Sequence, residues 1–234
     1  EKPQVIACPM DGAQRILQDG LVERYEQIRN GHVKPWEDNA LAVTTDGRKL
    51  ALSPRLLDPL AEDCAWSKIN RCLEQVHTIW EETAEARSTQ LVFCDFGVHP
   101  NAWGYSVYAE VVDKLVKAGI PSAQLAVIGD ADTDAKKHVL FDKVRSGQVR
   151  VLLGSTQKMG TGMNVQQRLI ALHHLDAPWK PAEVEQREGR ILRPGNSHAE
   201  VQIYRYVTEG SFDAYMWQAL ETKATFIGQV MTGD

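Results

Sequence analysis

The sequence predicts an α/β fold in which helices flank a mostly parallel sheet, with a helical extension at the N-terminus. From residue 90 onward, short aliphatic runs alternate with amphipathic segments. The runs are continuous, as in strands that are covered on both faces. Because crossovers between parallel strands are right-handed, such a rhythm builds one parallel sheet with its functional loops at the carboxyl ends of the strands.

The individual elements follow from the apolar runs and from the residues that end them. The predicted strands cover 91–94, 125–128, 149–153, 169–172 and 201–204. The predicted helices between and after them cover 105–117, 132–145, 183–193 and 212–228. Gly119 and Gly147 end the first two of these helices, since glycine accepts the backbone conformation that stops a helix.

Residues before about 65 are organised differently. Apolar residues at helical spacing predict a helix over 11–29, and scattered Gly, Pro and Asn predict a polar loop over 30–49. A further helix over 67–82 leads into the first predicted strand. We therefore expect an N-terminal extension over 1–64, a main domain over 65–210 and a C-terminal helix within 211–234.

Composition restricts the class of protein. A chain of 234 residues with 43% hydrophobic residues can bury a substantial core. No apolar run approaches the roughly 20 residues that span a bilayer, so we expect a cytoplasmic protein without a membrane partner. The four cysteines form no Cys-x-x-Cys pair, which favours free thiols over a metal site. With a net charge of −5, any nucleic-acid binding must rely on a local basic patch.

One such patch lies between residues 186 and 193, where three arginines and a glutamine precede a Pro-Gly stop. On a helix, Gln186, Arg190 and Arg193 fall within roughly 60° of one another, while Val184 and Ile191 lie on nearly the opposite face. Two aligned guanidinium groups suit a polyphosphate. A solvated basic face that makes surface ion pairs is the alternative interpretation of this patch taken alone.

A second candidate binding element is the Gly-rich loop over 154–165, which directly follows a predicted strand. Gly160 and Gly162 let the backbone approach a phosphate or a ribose closely. The loop also offers side-chain donors from Ser155, Thr156, Lys158 and Asn164. A tight turn without a ligand would have a similar composition, so the loop indicates a binding site only in combination with the arginines downstream.

Other polar residues at strand ends have structural explanations that compete with functional ones. His173 and His174 could be a ligand pair, but without a Cys or carboxylate partner in the sequence we expect one to pack and the other to form a hydrogen bond. Asp95 and Asp130 could bind a cation if the sheet brought them together. We expect them to act instead as polar caps of the turns that follow.

Three stretches in order carry a resemblance to a known family. They are Ser155-Thr156-x-x-x-Gly160-x-Gly162-x-Asn164, then His174-x-Asp176-x-Pro178-Trp179-x-Pro181, then Gln186-x-x-Gly189-Arg190-x-x-Arg193-x-Gly195. Their order and spacing resemble motifs V and VI of superfamily 2 helicases, most closely the SNF2-like group. The resemblance implies that the main domain is a second RecA-like lobe, a fold of the P-loop NTPase type.

The resemblance also implies roles for individual residues. Arg193 and Arg190 would face the γ-phosphate of ATP, with Arg193 as the arginine finger. Near the nucleotide we expect Gln186, Gly160, Gly162 and Asn164. Near the nucleic-acid backbone we expect Ser155 and Thr156, with Lys158 adding a positive charge.

The sequence departs from a complete helicase in one respect. It contains neither a Gly-x-x-x-x-Gly-Lys-Ser/Thr motif nor an Asp-Glu-x-His motif, the elements that hold the nucleotide phosphates and Mg²⁺. We therefore expect ATP and Mg²⁺ to be held by an N-terminal RecA-like lobe, with DNA as a further partner, and the isolated chain to be inactive. The same run of residues resembles phage- and plasmid-borne proteins that join a helicase to an adenine-specific DNA methylase, so a fused or associated methylase is a candidate partner.

Two other functions stay open at this point. The first is a self-contained Rossmann-like enzyme that binds a phosphorylated cofactor at the loop over 154–165, although this loop lacks the Gly-x-Gly-x-x-Gly pattern. The second is a non-catalytic module that uses a RecA-like lobe only as an interaction platform.

Overall fold

A single six-stranded parallel sheet forms the centre of the protein in the computed structural model, which describes residues 2–159 and 162–232. The strand order is β1-β6-β5-β2-β4-β3, and every neighbouring pair is parallel. The strands are β1 (Gln4–Cys8), β2 (Thr89–Phe93), β3 (Leu125–Val127), β4 (Val151–Gly154), β5 (Leu169–His174) and β6 (Gln202–Thr208). All five predicted strands are present, and β1 is an additional one.

Helices cover both faces of this sheet. They are α1 (Gly12–Arg29), α2 (Ala40–Leu52), α3 (Lys68–Glu82), α4 (Val107–Lys117), α5 (Asp134–Arg145), α6 (Thr156–Met159), α7 (Pro181–Glu188) and α8 (Phe212–Thr232). Predicted bounds agree with the structure within about two residues for α1, α3, α4 and α5. None of the helices in the described ranges is long and apolar enough to cross a lipid bilayer.

The strand β1 corrects the expectation that the first 64 residues are only helix and loop. It pairs with β6 from Gln4 beside Tyr204 to Cys8 beside Thr208. Its apolar run is only four residues long, and Val5 is 62% exposed at the sheet edge, so the run resembles neither a buried strand nor an alternating one. The N-terminal segment therefore shares a sheet with the residues assigned to the main domain.

The helix α2 corrects the expectation of a polar loop over 30–49. Asn39 caps it, because its side chain accepts a hydrogen bond from the Ala42 backbone N–H at 3.0 Å. The sequence pattern was misleading because Gly47 lies in the middle of this helix. Its lack of a side chain has a packing reason, since a Cβ there would lie 3.3 Å from the Phe212 ring.

Two apolar clusters fill the space between the sheet and its helices. One face packs against α3 and α4, and the other packs against α5 and the loop after β4. Adjacent residues of β2 alternate between the clusters, with Val92 in the first and Leu91 and Phe93 in the second. This two-sided burial accounts for the continuous apolar runs in the sequence.

The polar side chain of His173 lies inside this core. Its Nε2 is 2.9 Å from Gln90 Oε1 and its Nδ1 is 2.8 Å from the Tyr206 hydroxyl. Gln90 Oε1 only accepts, so the proton is on Nε2 and Tyr206 donates to Nδ1. The ring also stacks on Tyr204, with ring centres 5.2 Å apart. His173 is therefore a core residue with a hydrogen-bond partner at each ring nitrogen.

A buried ion pair ties the C-terminal helix to the body of the protein. Lys68 Nζ, at the start of α3, lies 2.5 Å from Asp213 Oδ2, at the start of α8, and both residues are buried. The same carboxylate oxygen accepts from the Thr208 backbone N–H at 3.2 Å. The pair thus joins α3, α8 and the end of β6 at one point.

Removing one member of this pair should destabilise the fold strongly. In Asp213→Ala the buried ammonium of Lys68 has no counterion, and we expect the free energy of unfolding to fall by about 3 to 5 kcal/mol in urea denaturation. The double variant Lys68→Met with Asp213→Asn removes both charges and keeps an acceptor for Thr208, so it should lose less than the single variant. An equal loss in both would show that the charge of Lys68 is not the cause.

His173 should make the fold sensitive to acid. Burial, and secondarily the neighbouring His174, lower the pKa of His173 from 6.5 to about 3, whereas the unfolded chain binds this proton below about pH 6.5. Above that pH the buried neutral ring does not lower the free energy of unfolding. Below it the unfolded chain binds the proton and the folded chain does not, so the free energy of unfolding decreases as the pH falls toward 3. Between about pH 7 and pH 4 the wild type should lose about 3 kcal/mol more than His173→Gln in urea titrations.

The exposed His138 on α5 provides the matched control. His138→Gln should keep the full acid sensitivity of the wild type. If His173→Gln kept it as well, the burial of a neutral His173 would not be its source.

Candidate functional site

The side chain of Arg187 lies at the centre of the polar cluster at the carboxyl edge of the sheet. It is 0% exposed and projects from α7 toward the strand ends. Its guanidinium donates five hydrogen bonds. Nε donates to Thr156 Oγ1 at 2.8 Å, and Nη1 donates to the Asp176 carbonyl at 2.8 Å and to His174 Nδ1 at 3.2 Å. Nη2 donates to Asp95 Oδ2 at 2.8 Å and to Asp176 Oδ1 at 3.1 Å. The cluster therefore joins the ends of β2, β4 and β5 to α7.

The sequence analysis placed Gln186, Arg190 and Arg193 on one face and assigned no side to Arg187. Arg187 lies three residues after Val184 and four before Ile191, so a helix through residue 191 would carry all three on one face. In the structure Val184 lies on α7 and Ile191 follows its end, and both pack against apolar clusters, so the spacing correctly indicates an inward position for Arg187.

The two carboxylates beside Arg187 are in different electrostatic states. Burial alone would raise the pKa of Asp95, but the charge of Arg187 and hydrogen bonds from Thr156 outweigh it and hold this pKa below its ordinary value. Burial, and then the charge of Asp95, raise the pKa of Asp176, although Arg187 opposes them. Asp95 is the ionised partner of Arg187. Both of its oxygens also accept from Thr156, at 2.7 Å from N–H and 2.9 Å from O–H, so Asp95 caps the start of α6 and not, as expected, the turn that follows it in the chain.

The ring of His174 links this cluster to the last strand. Burial lowers its pKa to about 4, so the ring is neutral near pH 7. Its Nδ1 accepts from Arg187, so its Nε2 carries the proton and donates to Glu188 Oε1 at 3.1 Å. Glu188 in turn pairs with Arg205 of β6 at 3.2 Å. Both histidines therefore form hydrogen bonds, where the sequence analysis expected this of one.

The helix α7 is shorter than predicted. It begins with Pro181 and ends at Glu188, whereas the sequence analysis expected a helix over 183–193. Gly189 follows at the end of the helix, where a Cβ would lie 2.8 Å from the Glu185 carbonyl oxygen. Arg190 and Arg193 therefore lie in the turns after the helix, and the predicted common helical face with Gln186 does not form.

The turns nevertheless bring the two arginines to one place. Nη1 of Arg190 and Nη1 of Arg193 each lie 3.3 Å from the Met163 carbonyl oxygen in the loop after β4. The segment that carries them is fixed on its far side, since Gln166 Nε2 donates to the Pro194 carbonyl at 3.2 Å and Asn196 Nδ2 donates to that of Leu169 at 2.7 Å. The two sequence motifs thus meet in space.

The two arginines differ in exposure. Arg190 is 7% exposed, and burial together with the charge of Arg193 lowers its pKa. Arg193 is exposed. Arg193 is therefore the more accessible of the two to solvent.

The loop after β4 presents some of its predicted binding residues and buries others. Gly162, with φ +71°, Lys158 and Asn164 are exposed, and Ser155 is half-buried. Thr156 is buried, with its N–H and O–H both donating to Asp95. Gln186 lies half-buried on α7, and Gly160 lies outside the described residues.

Close packing at the base of this loop depends on Gly154. A Cβ there would lie 2.4 Å from Ile128 Cγ2 and 2.7 Å from Met159 Cγ, so only glycine lets α6 fold back directly after β4.

Across residues 2–159 and 162–232, no group of three or more His, Cys, Asp or Glu side chains is arranged to hold a metal ion.

Solved structures share this architecture. The C-terminal part of the Fun30 ATPase domain superposes with a TM-score of 0.69 over 94% of this chain and 88% of that chain, at 13% identity. The Sulfolobus solfataricus SWI2/SNF2 ATPase core domain superposes with a TM-score of 0.67 over 97% of this chain and 44% of that chain, at 14% identity. The fold is thus that of the second RecA-like lobe of SNF2 ATPases.

Two curated relatives align with part of the sequence. "Defense against restriction protein B" of Escherichia phage P1 is 37% identical over 145 residues, which cover 52% of this chain and 6% of the phage protein. The mouse "DNA annealing helicase and endonuclease ZRANB3" is 25% identical over 115 residues, which cover 48% of this chain and 10% of the mouse protein. The chain therefore corresponds to a small part of each relative.

A family model for the helicase conserved C-terminal domain matches residues 74–195, which include β2 to β5, the loop after β4, Arg187, Arg190 and Arg193. The match extends over more than half of the chain. This chain belongs to the family of helicase conserved C-terminal domains.

Proposed function

We propose that the chain is the second motor lobe of an ATP-dependent DNA helicase or translocase, and that it supplies Arg193, with Arg190 beside it, to ATP held by a first lobe. The observation that carries this proposal is the convergence of both guanidinium groups on the Met163 carbonyl in the loop after β4. Family membership supports the same assignment.

The chemistry that this geometry suits is phosphoryl transfer to water. Charge develops on the oxygens of the γ-phosphate in the transition state, and a guanidinium that reaches them stabilises that charge. Arg193 is accessible to a phosphate from outside, while Arg190 is held mostly inside. In this proposal, ATP and Mg²⁺ are held by the first lobe, and Arg193 is the arginine finger that completes the site from the second.

We assign the loop after β4 to both ligands. Gly162 and Asn164 are exposed close to the arginine pair, on the side that the nucleotide would approach. Ser155 and Lys158 are accessible near the start of α6 and suit a DNA phosphate. The mouse relative is named a DNA annealing helicase, which supports DNA as the nucleic acid along which the protein moves. Closure of the lobes on ATP and opening after hydrolysis would then move the protein along DNA.

Removal of the finger should abolish turnover in the full-length protein. We expect Arg193→Ala to lower the kcat for ATP hydrolysis at saturating DNA by about 10³ to 10⁵-fold, because the transition state loses about 4 to 7 kcal/mol of stabilisation. Arg193→Lys should fall between this variant and the wild type, since an ammonium keeps the charge but loses the planar fork. Phosphate release under steady-state conditions measures both.

The control is Arg71→Ala, which removes an exposed arginine of α3 that forms a surface ion pair with Glu74. Its kcat should match that of the wild type. Wild-type turnover in Arg193→Ala would contradict the finger assignment. ATP turnover by the isolated 234-residue chain would contradict the division of the site between two lobes and favour a self-contained enzyme.

A further inference from the structure

Arg187 has no hydrogen-bonding capacity left for a ligand. A guanidinium carries five N–H donors in a fixed plane. Here Nε is used by Thr156, Nη1 by His174 and the Asp176 carbonyl, and Nη2 by Asp95 and the Asp176 carboxylate. With its side chain 0% exposed, Arg187 acts on other residues of this chain, unlike Arg193.

Stability alone is a poor explanation for such an arrangement. Burying a guanidinium and two carboxylates carries a large desolvation penalty, and apolar replacements of buried ion pairs are often neutral or stabilising. The five directed hydrogen bonds instead fix the relative positions of the elements that they join. They hold β2, β4 and β5 at one distance and one angle relative to α7.

The contacts of Arg187 close a ring that contains both predicted ligand sites. Thr156, in the loop assigned to DNA, bonds to Arg187 at 2.8 Å. Arg187 lies three residues before Arg190 at the end of α7, and Arg190 and Arg193 return to the same loop at the Met163 carbonyl. A chain of hydrogen bonds and covalent connections thus runs from Thr156 through Arg187 and the end of α7 to the arginine pair.

We propose that Arg187 is a positioning residue that transmits the contact between DNA and the loop after β4 to Arg190 and Arg193, and that this requires its planar fork of donors. The proposal rests on the proposed function. It assigns to a residue without any ligand contact the task of aligning the finger when DNA is bound. Lysine at this position keeps the charge but has three donors from one point, so it cannot reach all the strand ends.

The test uses Arg187→Lys in the full-length protein. We expect the kcat for ATP hydrolysis at saturating DNA to fall about tenfold, within the range of typical coupling between two sites. The KM for ATP and the Kd for a DNA duplex, measured by fluorescence anisotropy, should stay within about twofold of the wild type, because Arg187 touches neither ligand. A kcat within about twofold of the wild type would overturn the proposal.

Arg150→Lys separates positioning from general damage to the core. Arg150 is also buried, at 3% exposure, but it lies at the opposite end of β4, where it donates to the Ser88 and Trp80 carbonyls. Its kcat should match that of the wild type. An equal loss of kcat in Arg150→Lys would overturn the proposal, since any lost guanidinium would then have the same effect.

Asp95→Asn provides a second, milder variant. The Asp95 side chain is 25% exposed, so the fold tolerates the change more readily, yet the substitution removes the charge that orients Arg187. We expect the same selective loss of kcat, and full kcat in this variant would count against the link. Arg193→Ala tests the proposed function separately, because wild-type turnover in that variant would refute the finger whatever Arg187→Lys does.

Discussion

The hydrogen bonds between one buried guanidinium and the ends of three parallel strands organise the functional edge of this protein. A parallel sheet places the carboxyl ends of β2, β4 and β5 side by side, although they are far apart in the sequence. Asp95 and Asp176 would repel each other there, because both are acidic, they adjoin each other and Asp176 is buried. Arg187 compensates the charge and attaches α7 in the same step. The positions of the loop after β4 and of the exposed arginine both follow from this attachment.

The sequence predicted the sheet well because its signal is strong. Two-sided burial demands continuous apolar runs, and four of the six strands, β2 to β5, have them. The failures have specific causes. β1 is an edge strand with one exposed face, so its run is short, and α2 contains Gly47, which reads as a break until the Phe212 ring that fills the space is known. Both causes are tertiary contacts with residues more than 150 positions away, which local patterns do not contain.

The site was predictable in its parts and not in its arrangement. The loop over 154–165 and the arginines after it were recognised as candidate binding elements, and the structure brings Arg190 and Arg193 to the Met163 carbonyl of that loop. The predicted helix over 183–193 extends beyond the observed end of α7 at Glu188, because helical periodicity continues past Gly189 in the sequence while the chain itself turns. Thr156 and Arg187 are typical surface residues by composition. Their burial depends on Asp95 and Asp176, whose proximity only the fold creates.

The pairing of β1 with β6 has a consequence for biosynthesis. Gln4 aligns with Tyr204, so the first strand waits on the ribosome for a partner that is made about 200 residues later. At translation rates of about 5 to 20 residues per second, this interval lasts about 10 to 40 seconds. During it the central strands can pair, while β1 has no neighbouring strand and its backbone N–H and C=O groups stay without sheet partners. The segment that carries β1 therefore presents an unpaired strand until β6 emerges.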